Sequence, residues 1–384
     1  MRVALIHYWL VGMRGGEKVL ESMCRLFPQA DIYTHVLRRS AVSERILRHN
    51  IKTTFINRLP NAARWYQKYL PLMPLALEQL DLRGYDLVLS NESGPAKGVI
   101  TGQNCLHICY CHSPMRYLWD FYQDYLESVG AVPRLAFRFF ASRLRLWDCA
   151  SAARVDHFIA NSRNVAERIR KHWRRDAAVI HPPVDHARFC PTSLATAPQD
   201  APYILLGQLV DYKRADLAVR AFNSSGRRLE IIGEGSQLPR LKALARRNIV
   251  FHGRLGDAET VRLLQEVRAL IFPGEEDFGL TPLEAMSAGR PVVAYGRGGA
   301  LETVKDGVTG LFFSEQTPES MNAAIDRLEA NYAAFVPQVI SEHAAAFDVS
   351  VFERKLTNHI EELLARWRGS STTRFADSGD GEYA

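Results

Sequence analysis

The amino-acid sequence predicts an α/β protein with two parallel-sheet domains in tandem, and three observations carry that reading. Short β-branched runs alternate with helical patterns, the rhythm of parallel strands joined by crossover helices. The rhythm breaks at a stretch rich in Pro, Ser, Thr and Ala, residues 182–202, and then restarts. The 384 residues are enough for two domains, each burying its own apolar core.

The first half opens with the strand RVALIHY and a helix over 16–27. The runs DLVLS and HICYCH follow, then HFIANS, the helix RNVAERIRKHW and the run AAVIHPP. Beyond the proline-containing linker at 183–200 come YILLGQL, helix 213–223, LEIIGEG, helix 236–246 and IVFHG. Helix 257–267, ALIFP, helix 282–288 and PVVAYG complete the second half. A last amphipathic helix, 351–368, precedes the tail GSSTTRFADSGDGEYA, which has little to bury and is expected to be disordered. The expected domains are therefore 1–185 and 186–350, with helix 351–368 packing back towards the first and 369–384 as a tail. Open α/β sheets bind ligands at the carboxyl ends of their strands, so the cleft between the domains is the expected site.

Composition narrows the function classes. Apolar residues are 47% and charged ones 23%, which fits a globular chain and excludes a disordered or membrane-spanning one. No apolar run approaches the roughly 20 residues of a spanning helix. The opening MRVALIHYWLVG is short, is interrupted by His7 and lacks a cleavage site, so a cytoplasmic protein is expected. The six cysteines (24, 105, 109, 111, 149, 190) show no C-x-x-C pair or zinc-ligand spacing, so no metal is expected. Residues 1–190 hold 27 Lys and Arg against 16 Asp and Glu, while residues 191–384 hold 21 against 26. A basic N-terminal half suits an anionic partner, either nucleic acid or a membrane surface, or merely solvated helix faces. No nucleic-acid recognition motif accompanies it, so nucleic acid is not an expected partner.

Motifs at strand-to-helix turns carry the chemistry. In GEEDFGLTPLEAM, Thr281, Pro282 and Glu284 read as a capping box with proline at the first helical position. Glu276 lies in the acidic loop before Gly279 and has no evident structural partner. Amides of Gly279, Leu280 and Thr281 at a helix start suit a phosphate, and two flanking carboxylates suit the hydroxyls of a phosphorylated ligand such as a nucleotide sugar. In GQLVDYKRADLAVRAF, Lys213 and Arg214 stand at a helix N-terminus, where cations are unfavourable unless an anion joins them. Gly15 and Gly16 open the first helix and can turn amides to a phosphate, with Glu17 and Lys18 as ordinary first-turn residues. His112, just past HICYC, can hydrogen-bond a substrate hydroxyl or serve structure alone. Within 133–147, Leu135, Ala136, Phe139, Phe140, Leu144 and Trp147 read as one apolar stripe opposite Arg134, Arg138 and Arg145. That composition fits an interfacial membrane helix or a core-facing one, and 64–77 is a second, weaker candidate.

Together these segments resemble the family 4 retaining glycosyltransferases of GT-B fold, in which two Rossmann-like domains face each other across a cleft. Glu276 and Glu284 fit the family's E-x7-E signature, and HYWL, GGEKVLE, CHSPMRYLWD, DHFIANS, VIHPPVD, GQLVDYK and IIGEG follow in the family's order over nearly the whole chain. The pattern is most similar to mannosyltransferases that use GDP-mannose, or the related GDP-rhamnose, in bacterial lipopolysaccharide O-antigen and exopolysaccharide synthesis.

The resemblance implies a role for each residue. Glu276 would hold hydroxyls of the donor sugar, the amides of Phe278, Gly279, Leu280 and Thr281 the sugar or diphosphate, and Glu284 the ribose. Lys213 would bind the diphosphate beside Gly207, Gly16 would contact phosphate, and His112 would meet the sugar near its reacting carbon. The family often has arginine after the glycine preceding that lysine, and Gln208 stands here, so Arg214 compensates or the diphosphate is held more loosely. Transfer would retain anomeric configuration by front-face attack without a metal. The acceptor would be a polyprenyl-diphosphate-linked saccharide, placing the protein on the anionic inner face of the cell membrane. A UDP-sugar transferase of the same fold and a nucleotide-sugar epimerase or binding protein remain as alternatives. A dinucleotide oxidoreductase does not, because no strand leads into G-x-G-x-x-G.

Overall fold

The computed structural model describes residues 1–128, 130–191 and 193–376. It divides into two units, one formed by Met1–Ile180 with the segment from Phe352 onward, the other by His181–Val351. The division thus falls at Ile180 and His181, so the motif HPPVD belongs to the second unit.

The first unit contains seven strands: β1 (Val3–His7), β2 (Asp31–Thr34), β3 (Ile51–Thr53), β4 (Leu87–Glu92), β5 (Leu106–Cys111), β6 (His157–Ala160) and β7 (Ala177–Val179). All pair in parallel, in the order β3-β2-β1-β4-β5-β6-β7. The inner strands are apolar on both faces, as a parallel sheet covered twice requires. Val3, Leu5, Leu87, Leu89, Leu106, Ile108 and Tyr110 pack on one side against Val19, Leu20 and Met23 of helix Gly15–Leu26. The intervening residues, among them Ala4, Ile6, Val88, Cys109 and Cys111, face the other side.

The C-terminal helix Val349–Ala376 lays Phe352, Leu356, Ile360 and Leu363 on the core beneath β1, β4 and β5, and Phe352 meets the Tyr110 ring edge-on at 5.8 Å. Its apolar residues recur every three or four positions, the spacing of one helical face. The helix continues past Arg368, through Ala376, into the stretch read from sequence as tail. The rest of that tail, 377–384, lies outside the described residues.

Helix Ala131–Ala153 corrects the single apolar stripe. Ala141, Leu144 and Ala152 face inward, whereas Leu135, Phe139, Phe140 and Leu146 are 72%, 60%, 40% and 72% exposed. What selects the buried face is Asp148. Its carboxylate accepts hydrogen bonds from the indoles of Trp119 and Trp173, each at 2.8 Å, and pairs with the ammonium of the fully buried Lys97. Lys97 Nζ also lies 3.5 Å from Glu92 Oε1, so the end of β4 is tied to this helix through buried charge. A buried pair deprived of one partner is strongly destabilised, which fixes the register of the helix more firmly than its apolar residues do.

The stretch 64–77 is broken into helix Ala62–Trp65, the 3₁₀ turn Tyr66–Leu72 and helix Met73–Glu78, since Pro71 and Pro74 cannot donate to a continuing helix. Trp65, Leu72 and Leu75 are exposed there, while Leu70 packs against the cluster that includes Ala141 and Leu144. The two candidate membrane segments are therefore neighbours. Among the described residues no helix is long and apolar enough to cross a membrane.

The second unit has six parallel strands: β8 (Tyr203–Leu206), β9 (Leu229–Ile232), β10 (Ile249–Gly253), β11 (Leu270–Phe272), β12 (Val292–Tyr295) and β13 (Gly310–Phe313). Their order is β10-β9-β8-β11-β12-β13. Helices Ala215–Ser225, Leu280–Ser287 and Pro318–Ala330 contribute Leu217, Phe222, Leu283, Met286, Ile325 and Leu328 to one continuous core. Each sheet reverses its strand order once, between β1 and β4 in the first and between β8 and β11 in the second. At such a reversal the flanking loops diverge and leave a crevice at the carboxyl ends of the strands.

Candidate functional site

At the reversal of the second sheet two loops are pressed together. A β-carbon on Gly274, just after β11, would lie 2.8 Å from the Cα of Lys213 in the 3₁₀ turn Asp211–Lys213 after β8. That approach puts Lys213 Nζ 2.7 Å from Glu276 Oε1, with both side chains about four-fifths buried. Glu276, which the sequence left without a partner, therefore has one. Burial pulls the Lys213 ammonium down, but the charge and hydrogen bond of Glu276, with smaller contributions from Tyr212 and Glu284, outweigh it and hold its pKa above the ordinary lysine value. Lys213 is a fixed cation. Gly207 follows β8, and a β-carbon there would sit 3.4 Å from Lys213 Nζ.

Arg214 turns elsewhere. It occupies the left-handed region at φ 52°, and its guanidinium donates to Gln316 Oε1 at 2.9 Å and lies 3.3 Å from Asp216. Gln316 in turn donates to Pro273 O at 2.9 Å, so Arg214 braces the β11 loop from behind. Gln208, at the position to which the sequence resemblance assigns arginine, is exposed.

The capping box is corrected by the structure. Helix Leu280–Ser287 starts at Leu280 with Gly279 as its N-cap and no capping side chain, so Thr281 is its second residue and Glu284 its fifth. Gly279 makes the early start possible. Its φ of 82° is open to glycine, and a β-carbon would press to 2.7 Å from the Phe272 ring. Pro282, third in the helix, still lies in the first turn, where no N–H is used. Glu284, one turn into the helix, acts through its charge on Lys213. The amides of Gly279, Leu280 and Thr281 have no intrahelical acceptor.

Two further contacts set this loop. Gly299 N, from the turn after β12, donates to Glu276 O at 2.8 Å. Phe278 is buried and stacked on the His181 ring, centroids 5.2 Å apart, while His181 Nε2 lies 3.0 Å from Glu302 Oε2. His181 and Glu302 were not singled out from sequence, because their link to the E-x7-E loop runs through a ring contact between distant segments.

A second constellation occupies the reversal of the first sheet. His7 ends β1, Asn91 is paired with it in β4, and His112 follows β5, so all three lie on the face covered by helix Gly15–Leu26. Asn91 Nδ2 donates to Gly16 O at 2.8 Å and lies 3.1 Å from His7 Nδ1, and Asn91 Oδ1 is 2.5 Å from His112 Nε2. Burial, then the neighbouring His7, pushes the His112 pKa down to about 3, with Glu17 opposing. His112 is thus a neutral imidazole at physiological pH.

Gly16 and His112, chosen separately from sequence, are brought together. A β-carbon on Gly16 would lie 3.6 Å from His112 Nε2 and would collide with the Tyr8 hydroxyl. Glu17 is corrected from an ordinary first-turn residue. It is 2% exposed, accepts from Arg14 N at 2.9 Å and holds Oε1 3.5 Å from His7 Nε2. Lys18 stays at the surface beside Glu21. The signal that would have found His7 and Asn91 is the two-residue period of the strands: both continue the inward series of Val3 and Leu5 and of Leu87 and Leu89.

In the second unit a fixed cation beside helix amides can hold a diphosphate and the carboxylates beside it can hold hydroxyls; in the first unit a neutral histidine can accept a hydrogen bond from a hydroxyl. Two family models match these two halves: Glycosyltransferase Family 4 over residues 13–188 and Glycosyl transferases group 1 over residues 193–345. This chain has the GT-B fold of the family 4, group 1 glycosyltransferases. Among solved GT-B structures, Anabaena HepE in complex with UDP aligns with a TM-score of 0.66 at 16% identity, over 94% of this chain and all of that one. A D-inositol 3-phosphate glycosyltransferase of Mycobacterium marinum is 29% identical over 240 residues, 56% of this chain and 50% of the relative. An alpha-1,3/1,6-mannosyltransferase of Dictyostelium discoideum is 41% identical over 76 residues, 20% of this chain and 18% of the relative. The chain spans about half the length of the first of these curated relatives.

Proposed function

We propose that the protein is a retaining hexosyltransferase that moves α-mannose, or D-rhamnose, from a GDP-sugar to a hydroxyl of a lipid-linked saccharide in lipopolysaccharide O-antigen or exopolysaccharide synthesis. The observation that carries the reading is the Lys213–Glu276 pair at the strand-order reversal, next to the start of helix Leu280–Ser287. In the absence of donor the two charges neutralise each other. A diphosphate would take Lys213 and the amides of Gly279, Leu280 and Thr281, and sugar hydroxyls would take the carboxylate so released. As the glycosidic bond breaks, negative charge grows on the leaving diphosphate, and the ammonium and helix amides stabilise it in place. No residue in this scheme needs a bound metal. Glu284 is assigned to the ribose and Gly16 and His112 to the donor's phosphate and sugar. The short stretch similar to a mannosyltransferase supports mannose as the sugar.

The membrane part rests on the first unit. Leu135, Phe139, Phe140 and Leu146 stand out beside the exposed Arg138 and Arg143, Trp65, Leu72 and Leu75 are exposed on the segment whose Leu70 packs against this helix's cluster, and a basic apolar surface of this kind suits an anionic bilayer that carries the acceptor. The test of the donor is thermal stabilisation by a panel of GDP-, UDP- and ADP-sugars, with product analysis of each incubation. Selective stabilisation by GDP-mannose and a saccharide lengthened by one hexose is the expected result. Selective stabilisation by a UDP-sugar would move the donor class, and an epimer as the sole product would overturn transfer.

A further inference from the structure

The amide of Asn91 has only one orientation open to it, and that orientation dictates where the proton sits on His112. Gly16 O can only accept, so the atom facing it at 2.8 Å is the Asn91 NH₂. The second hydrogen of that NH₂ points to His7 Nδ1 at 3.1 Å, which must therefore be bare, leaving the His7 proton on Nε2, on the side of the buried Glu17 carboxylate. The remaining Asn91 atom, Oδ1, can only accept, and it faces His112 Nε2 at 2.5 Å. His7, Asn91 and Glu17 are at most 2% exposed, so bulk solvent does not compete for the bonds among them.

We infer that Glu17, His7 and Asn91 are positioning residues that lock His112 as its Nε2–H tautomer and present Nδ1 as a bare acceptor for a hydroxyl of the donor sugar. The polarity runs one way along the set: the Glu17 carboxylate faces the His7 Nε2 proton, His7 Nδ1 accepts from Asn91, and Asn91 accepts from His112. Among the described residues His112 Nδ1 has no protein partner, and that is the nitrogen left for a ligand. Reversing the tautomer would require Asn91 to turn over and set its oxygen against Gly16 O. The same set explains a buried carboxylate in the first turn of a helix that ordinary capping would not bury. The inference rests on the reading of His112 as the sugar-facing histidine.

The test uses the whole, ligand-free protein with ¹⁵N-labelled histidine, and His112 is assigned by its absence from the spectrum of His112→Gln. A protonated Nε2 with a bare Nδ1 at pH 7 is expected, whereas an Nδ1–H tautomer or an imidazolium overturns the inference. Asn91→Asp then keeps the acceptor towards His112 but cannot donate to Gly16 O or His7. It should convert His112 to the imidazolium at pH 7 and lower kcat roughly 10- to 100-fold with the donor KM little changed. An unchanged kcat in a variant whose His112 is charged would refute the positioning role. The wild-type spectrum decides the tautomer even if Asn91→Asp does not fold. Should no nucleotide sugar be turned over by the wild type, the transferase reading fails while the tautomer assignment stands.

Discussion

Replacing Glu276 with glutamine tests the proposed donor site most directly, because it removes one charge of the pair and keeps its shape. At 2.7 Å with an effective dielectric of about 20, the bare attraction is roughly 6 kcal/mol. Holding both side chains about four-fifths out of water offsets most of this, leaving about 1–2 kcal/mol, near the usual worth of a hydrogen bond between charged groups. For a domain of this size that lowers Tm by roughly 2–8 °C. The consequences for ligands diverge. GDP no longer competes with Glu276 for Lys213, so it should bind as tightly as before or up to about tenfold tighter by calorimetry. Transfer should fall roughly 100-fold or more, since the variant cannot offer a carboxylate to the sugar hydroxyls. Release of GDP in the presence of a saccharide acceptor measures it. Transfer within about threefold of wild type, or GDP affinity falling in step with turnover, would refute the reasoning.

Other consequences can be checked separately. Lys213→Met should weaken GDP binding roughly 10- to 100-fold. Because the folded-state pKa of Lys213 is raised, its stabilisation is complete below the ordinary lysine value of 10.5 and is lost as the pH rises through the folded value. The Tm gap between wild type and Lys213→Met should therefore stay level from neutral pH to about 10 and close above it. Gly16→Ala drives a methyl into the Tyr8 hydroxyl and should cost about 1–3 kcal/mol, and adding Tyr8→Phe should recover much of that in urea unfolding. No recovery would place the strain elsewhere. Wild type should sediment with anionic vesicles at low salt and less at high salt, while Leu135→Ser with Phe139→Ser should not, at unchanged Tm because both residues are largely exposed. Equal sedimentation of the double variant would remove this face from membrane contact.

Glu276, Lys213, Gly16 and His112 were legible as candidates because each stands at a strand-to-helix turn, and turns of parallel sheets are where chemistry concentrates. The two parallel sheets were legible too, since doubly covered strands must be apolar on both faces and crossover helices must be amphipathic. Local patterns could not supply partnerships between distant segments. That Lys213 meets Glu276 depends on β8 lying next to β11, a strand order that no local pattern encodes. Likewise, His7, Asn91 and His112 converge because β1, β4 and β5 are neighbours in register, although 84 and 21 residues separate the bonded pairs. The misread capping box has the same origin: Thr281, Pro282 and Glu284 satisfy the local rule, but close packing of Gly279 on Phe272 starts the helix earlier. By itself the sequence determined the strands, the turns and the residues able to do chemistry, because these follow from short-range sterics and periodicity. Only the tertiary structure decided which charge neutralises which and which nitrogen of His112 carries the proton, because both depend on distances set by strand order.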